Sequence, residues 1–155
     1  MNNILAVLTL ALALGPVAYA QKKDCRSVGG TLLTNLGAVD QNTTMGPATG
    51  DLAGAVGATI VSFQPQNNGA VILFAVQHHW VTNSGDTLSF QQATVLTKQV
   101  APNVYGVADY KAHLNGGTGQ FAGANGDLKF IGEVDLNTGQ LVLRYTGNIC
   151  YPDND

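Results

Sequence analysis

Residues 116–132 read GGTGQFAGANGDLKFIG, a glycine-dense stretch that runs straight into a strand pattern. Glycine reaches backbone conformations closed to other residues and lets neighbouring backbones come close, at an entropic cost that the fold must offset elsewhere. The run has no lysine in the phosphate-loop position and opens no strong helical pattern, so it does not read as a phosphate cradle. Gly117, Gly119, Gly123 and Gly126 read instead as tight turns and bends in a curving antiparallel sheet.

Strand patterns follow nearly everywhere after the first loop. They cover Leu52–Gln64, Ala70–Thr82, Thr87–Lys98, Asn103–Leu114, Asp127–Leu136 and Gln140–Ile149. Their boundaries carry turn chemistry at Gln66-Asn67-Asn68-Gly69, Asn83-Ser84-Gly85-Asp86 and Asn137-Thr138-Gly139. Consecutive strands with short links, and no helix long enough for a crossover, favour an antiparallel meander or barrel over a parallel sheet. Before them lies a short apolar piece at Thr31–Leu36, then a polar stretch, Gln41–Gly50, that reads as a flap.

The pattern GG[ST]GxFxGxxG, here Gly116, Gly117, Thr118, Gly119, Phe121, Gly123 and Gly126, followed by a carboxyl-terminal hairpin, resembles the allene oxide cyclase and dirigent superfamily. The resemblance is clearest over residues 104–150 and implies an all-β fold, an eight-stranded antiparallel barrel, often trimeric in plant members. It also implies an interior cavity that steers cyclisation or radical coupling of small apolar molecules without a cofactor. One fold hosts several chemistries, so the resemblance speaks to architecture before reaction.

The chain opens on an apolar run, Ile4–Val17, followed by Ala18-Tyr19-Ala20, small residues at the two positions that a signal peptidase reads. Residues 1–20 are therefore expected to be an export signal, leaving 21–155 as a single barrel domain that is secreted, to the cell exterior or the periplasm. The run is shorter than the roughly 20 apolar residues that span a bilayer, so stable membrane insertion is not expected. Cys25 and Cys150, one near each end of the exported chain, are expected to form a disulfide that joins the terminal strands. With 7 basic and 10 acidic side chains the net charge is −3, which gives no electrostatic reason to bind nucleic acid. Asn42-Thr43-Thr44 is a glycosylation acceptor triplet for a eukaryotic secretory route.

In Gln77-His78-His79-Trp80, adjacent strand residues point to opposite faces. His78 shares a phase with Ile72, Phe74, Val76 and Trp80, which suits it to orient a substrate oxygen or exchange a proton inside an apolar pocket. A histidine satisfied by a backbone carbonyl or water is the plain alternative. Asp109 and His113 share a phase with Tyr105 and Lys111, while Tyr110 falls on the other face with Ala108 and Ala112. In a closed barrel a carboxylate and a tyrosine could stabilise developing charge, and each could equally be a rim residue.

In the last hairpin, pairing Leu136 with Leu141 sets Glu133 across from Arg144. One face is then apolar, with Phe130 and Tyr145, and the other polar, so Glu133 and Arg144 form either an exterior pair or part of a cavity lining. The candidate catalytic groups are thus His78, Glu133, Tyr110, Asp109 and Arg144. The candidate substrate walls are Phe74, Trp80, Phe90, Phe130 and Tyr145. Neither HExxH nor a histidine pair at strand ligand spacing occurs, so no metal is expected; no GxSxG elbow occurs either, and no cofactor is implied. Two functions stay open. One is a cofactor-free cyclase or isomerase acting on a small apolar metabolite; the other is a non-catalytic barrel that binds a hydrophobic ligand or serves a structural role. An outward apolar face would supply a reason for a homo-oligomer, and the resemblance implies a trimer.

Overall fold

The computed structural model describes residues 24–152. The expected export segment and its cleavage point lie outside them. Nine strands follow one another: β1 (Asp24–Leu36), β2 (Thr43–Ala48), β3 (Gly54–Gln66), β4 (Val71–Thr82), β5 (Thr87–Phe90), β6 (Ala93–Ala101), β7 (Val104–Gly117), β8 (Asn125–Asp135) and β9 (Gln140–Tyr151). β5 and β6 occupy a single place in the wall, since both pair with β4 on one side and β7 on the other. Counting them once leaves eight staves, each antiparallel to its sequence neighbours, and the β1–β9 ladder closes the ring. The expected eight-stranded antiparallel barrel is what the chain forms.

Alternation decides what enters the barrel. Along β8, Leu128, Phe130 and Val134 are buried while Lys129, Ile131 and Glu133 face solvent. Along β9, Leu143, Tyr145 and Ile149 are buried while Val142 and Arg144 are exposed. Period-two burial of this kind is what a pleated strand with one face inside must show.

Four expectations need correction. Gln41–Gly50 contains a wall strand, β2, bonded on both edges. Its tight packing needs Gly46, where a Cβ would lie 2.0 Å from the Leu33 carbonyl oxygen. The first strand runs the full length of β1, well beyond its apolar piece, because Asp24–Leu33 finds a complete ladder on β9.

The last hairpin pairs Asp135 with Gln140, so each residue's partner lies two residues from the expected one. The Asp135 carboxylate accepts the Asn137 backbone N–H at 2.8 Å, and the Asp135 carbonyl accepts that of Gly139 at 2.8 Å. That side-chain turn fixes the loop at 136–139. Glu133 consequently faces Val142, and Arg144 faces Ile131, so the two do not stand opposite each other. Finally, β7 carries a bulge: Asp109 pairs with Leu96 but Val107 pairs with Thr97, which leaves Ala108 over. The extra residue flips the phase, so Tyr105 and Tyr110 are both buried while Asp109, Lys111 and His113 are exposed.

The two ends of the barrel differ. One carries the β2–β3, β4–β5 and β7–β8 connections and both described chain ends, joined by the Cys25–Cys150 disulfide. Here the glycine-rich segment turns: a Cβ on Gly117 would sit 2.0 Å from the Thr87 carbonyl oxygen, and the turn seats buried Phe121. The opposite end carries the turns 37–42, 67–70, 102–103 and 136–139.

Candidate functional site

The closed end is filled solidly. Trp80 and Tyr145 meet edge to face at 5.3 Å. The Trp80 indole N–H donates to the Leu52 carbonyl at 2.9 Å; the Tyr145 hydroxyl accepts the Leu52 N–H at 2.9 Å and donates to the Thr49 carbonyl at 2.9 Å. Residues 49–53 are thereby strapped across the closed end of the barrel. Phe90 and Phe130 continue the packing inward, each within aromatic contact of His78 at 5.1 and 6.0 Å.

Above that packing the interior is not filled. A cavity of about 90 Å³ extends from His78 and Tyr110 toward the turn-bearing end, where Leu36, Leu136 and Leu141 line it. Among the described residues its walls are Val, Leu, Ile, Ala, Gly57 and Phe74, interrupted by the polar side chains of Thr34, Thr44, Thr97, His78 and Tyr110. No Asp, Glu, Lys or Arg among the described residues lines it. The Thr97 hydroxyl donates to the Ile72 carbonyl at 3.0 Å, and the Thr44 hydroxyl accepts the Ala58 N–H at 3.1 Å.

His78, on β4, and Tyr110, on β7, make the one polar pair at the cavity floor. Their rings stack at 5.7 Å, and Nε2 lies 2.5 Å from the tyrosine oxygen. Burial drives the His78 imidazole down to about 4, with a smaller push from neighbouring His79, so it is neutral at physiological pH. Burial pushes the Tyr110 phenol up, so it keeps its proton. The His78 Nδ1 has no hydrogen-bond partner, the sole fully buried side-chain nitrogen or oxygen left so among the described residues. Next to this pair the wall itself is interrupted. β4 pairs with β6 up to Val76 and with β5 from Trp80, and in the gap the Gln77 amide donates to the Phe90 carbonyl at 3.0 Å. A shallow outer cleft lies over that gap, bordered by Gln77, His79, Ser89 and His78 itself.

Of the residues singled out from the sequence, the fold brings together His78, Tyr110 and Phe74 on the cavity. Trp80, Phe90, Phe130 and Tyr145 lie beneath it as packing. Asp109, Glu133 and Arg144 are exposed on the outside and do not converge with the interior pair. Asn42 is exposed in the β1–β2 turn at the cavity end. Cys25 and Cys150 are bonded as expected. No group of three or more histidine, cysteine or acidic side chains that could hold a metal occurs among the described residues. Sequence reasoning missed the threonines. Thr34 shares the inward phase of Leu32 and Leu36, a signal that was legible once β1 is read as a full strand.

Among solved structures the chain is similar to two pterocarpan synthase dirigent proteins. With GePTS1 the identity is 13% and the TM-score 0.38, over 92% of this chain and 100% of that one. With PsPTS1 they are 12% and 0.37, over 88% and 100%. No family model matches the chain, and no curated protein matches its sequence. Similarity at this level carries no argument about activity; the barrel rests on its own closed ladder.

Proposed function

We propose that this barrel binds a small, mainly apolar molecule in the cavity above His78 and Tyr110. The observation that carries this reading is an apolar chamber left open inside a barrel whose other half is packed solid, with one neutral polar pair at its floor. Ligand sites commonly combine apolar walls with a few placed polar groups. The test is a ¹³C-methyl NMR titration with methylenecyclohexane, a compact hydrocarbon. Shifts concentrated on Leu32, Val56 and Val76, and abolished when Ala58→Trp fills the chamber in a folded protein, are expected. Shifts confined to outer methyls such as Leu33 and Val142 would refute the reading.

Guided cyclisation or isomerisation is the second reading, favoured by the same rigid apolar wall, which could hold a flexible substrate in a reactive shape. Acid–base chemistry at the floor has less support. An imidazole at about 4 is a weak base, and a phenol pushed up by burial is a weak acid, whereas efficient proton transfer wants groups near the working pH. A shape-driven reaction would survive Tyr110→Phe with most of its turnover; an acid–base reaction would not.

The disulfide supports an oxidising compartment, and hence export. Exposed Leu33 pairs directly with exposed Val142, with exposed Ile131 on the next strand, which supports self-association through this outer face. Sedimentation of the wild type against Leu33→Lys tests that association.

A further inference from the structure

The hydrogen-bonding state of His78 specifies what its ligand must offer. Nε2 and the Tyr110 hydroxyl share one hydrogen bond, and no other partner of either group occurs among the described residues. If Nε2 carried the proton, the Tyr110 hydrogen and the bare Nδ1 would both go unmet. With the phenol donating to Nε2, only one group is unmet, the Nδ1–H. An unmet buried polar group is costly, so the second arrangement wins. His78 is therefore a buried, neutral donor with nothing to donate to.

We propose that the cavity selects an uncharged ligand whose carbonyl or ether oxygen accepts a hydrogen bond from the Nδ1–H of His78, with the rest of the molecule apolar. This rests on the reading of the barrel as a small-molecule binder and names the class of molecule. Charge is excluded by the walls: among the described residues no cationic side chain lines the cavity to pair with a carboxylate, and a buried unpaired charge is far costlier than a buried neutral group. A hydroxyl oxygen can also accept, but it brings a hydrogen that needs a partner of its own, so an acceptor oxygen without a proton is the discriminating feature.

Three compounds separate the possibilities: cyclohexanone and methylenecyclohexane, equal in heavy atoms, and cyclohexanecarboxylate, which is larger and is paired with neutral nitrocyclohexane as its size control. In wild-type protein with ¹⁵N-labelled histidine, the Nδ1 resonance is expected to be of the protonated type at neutral pH. It should move on adding cyclohexanone and stay still with the hydrocarbon. His78→Leu is expected to weaken the ketone about fivefold relative to the hydrocarbon, the worth of one net hydrogen bond. The carboxylate is expected not to enter.

If ketone and hydrocarbon both occupy the cavity with no change at Nδ1, or if the proton sits on Nε2, the acceptor proposal falls while the binding reading stands. Entry of the carboxylate as readily as the ketone overturns the exclusion of charge. If none of the three enters, both readings fall together. The labelled wild type gives its answer even if His78→Leu does not fold.

Discussion

Trp80 and Phe74 sit on the same face of β4, six residues apart, and meet opposite surroundings. Trp80 is buried to 2% exposure against Tyr145 and the strap at 49–53, whereas Phe74 borders open space. Eight staves surround both levels, with β5 beside Trp80 and β6 beside Phe74, so strand number does not make the difference. An eight-stranded barrel has an interior that side chains can fill or that one small ligand can occupy. Which outcome holds is set by side-chain size. The closed half places Trp80, Tyr145, Phe121, Phe90 and Phe130 inside, while the other half places Val56, Ala58, Val76, Val95 and Thr97 there. A chain can thus make its cavity by withholding volume from half of a regular frame.

The largest effect should come from emptying the filled half. Trp80→Ala is expected to cost about 3–5 kcal/mol of stability by urea denaturation, since it opens a void and strips the Leu52 carbonyl of its donor. Leu136→Ala at the cavity mouth, where the side chain is 38% exposed, should stay within about 0.5 kcal/mol. Equal losses would show that the two halves carry the same load and would break the contrast.

Replacing both cysteines by alanine comes next. The bond closes a loop with a sequence separation of 125, so about 2–5 kcal/mol is expected to be lost. The bond lies at the end remote from the mouth, so hydrocarbon binding in the folded variant should be unchanged. Loss of binding with the fold intact would mean that the closed end shapes the cavity after all, and the division of labour would need redrawing.

The strands of the closed frame were legible because alternation and turn chemistry are local. Ala70–Thr82 was read almost to the residue, and the disulfide followed from the placing of two cysteines near the ends of a chain expected to be exported. Both hidden features of the site were non-local. Tyr110 was placed off the face of Asp109, correctly, but its meeting with His78 depends on strand order around the barrel and on the spare Ala108 of the β7 bulge. β2 was missed because Thr43–Ala48 carries little apolar signal and is held by ladders on two neighbours. Glu133 and Arg144 were paired two residues out of register, because the Asp135 carboxylate chooses the loop by a side-chain bond that alternation does not see.

Acid separates the halves most finely, because among the described residues only the cavity half contains a buried histidine, His78. His78 is at about 4 in the fold against an ordinary 6.5, so the folded state resists a proton that the unfolded state accepts. Above 6.5 both states are neutral at this site and there is no penalty. Between 6.5 and about 4 the unfolded chain holds the extra proton, so stability falls as pH falls, and the loss is complete below the folded value. The loss should be about 1.4 kcal/mol one unit below the ordinary value and roughly 3 kcal/mol at the bottom of the window. Asp40 and Asp135 do not confuse this range. Hydrogen bonds from Asn42 and Asn137 hold their carboxylates below the ordinary 3.8, so whatever stability they contribute is lost only at lower pH. Urea midpoints taken from pH 7 to pH 4 should therefore slope in the wild type and flatten over that window in His78→Leu, while Leu136→Ala keeps the wild-type slope. A wild-type profile that is flat across the window would place water or another polar group on the imidazole, and would remove both the contrast and the lone donor on which the ligand's chemistry depends.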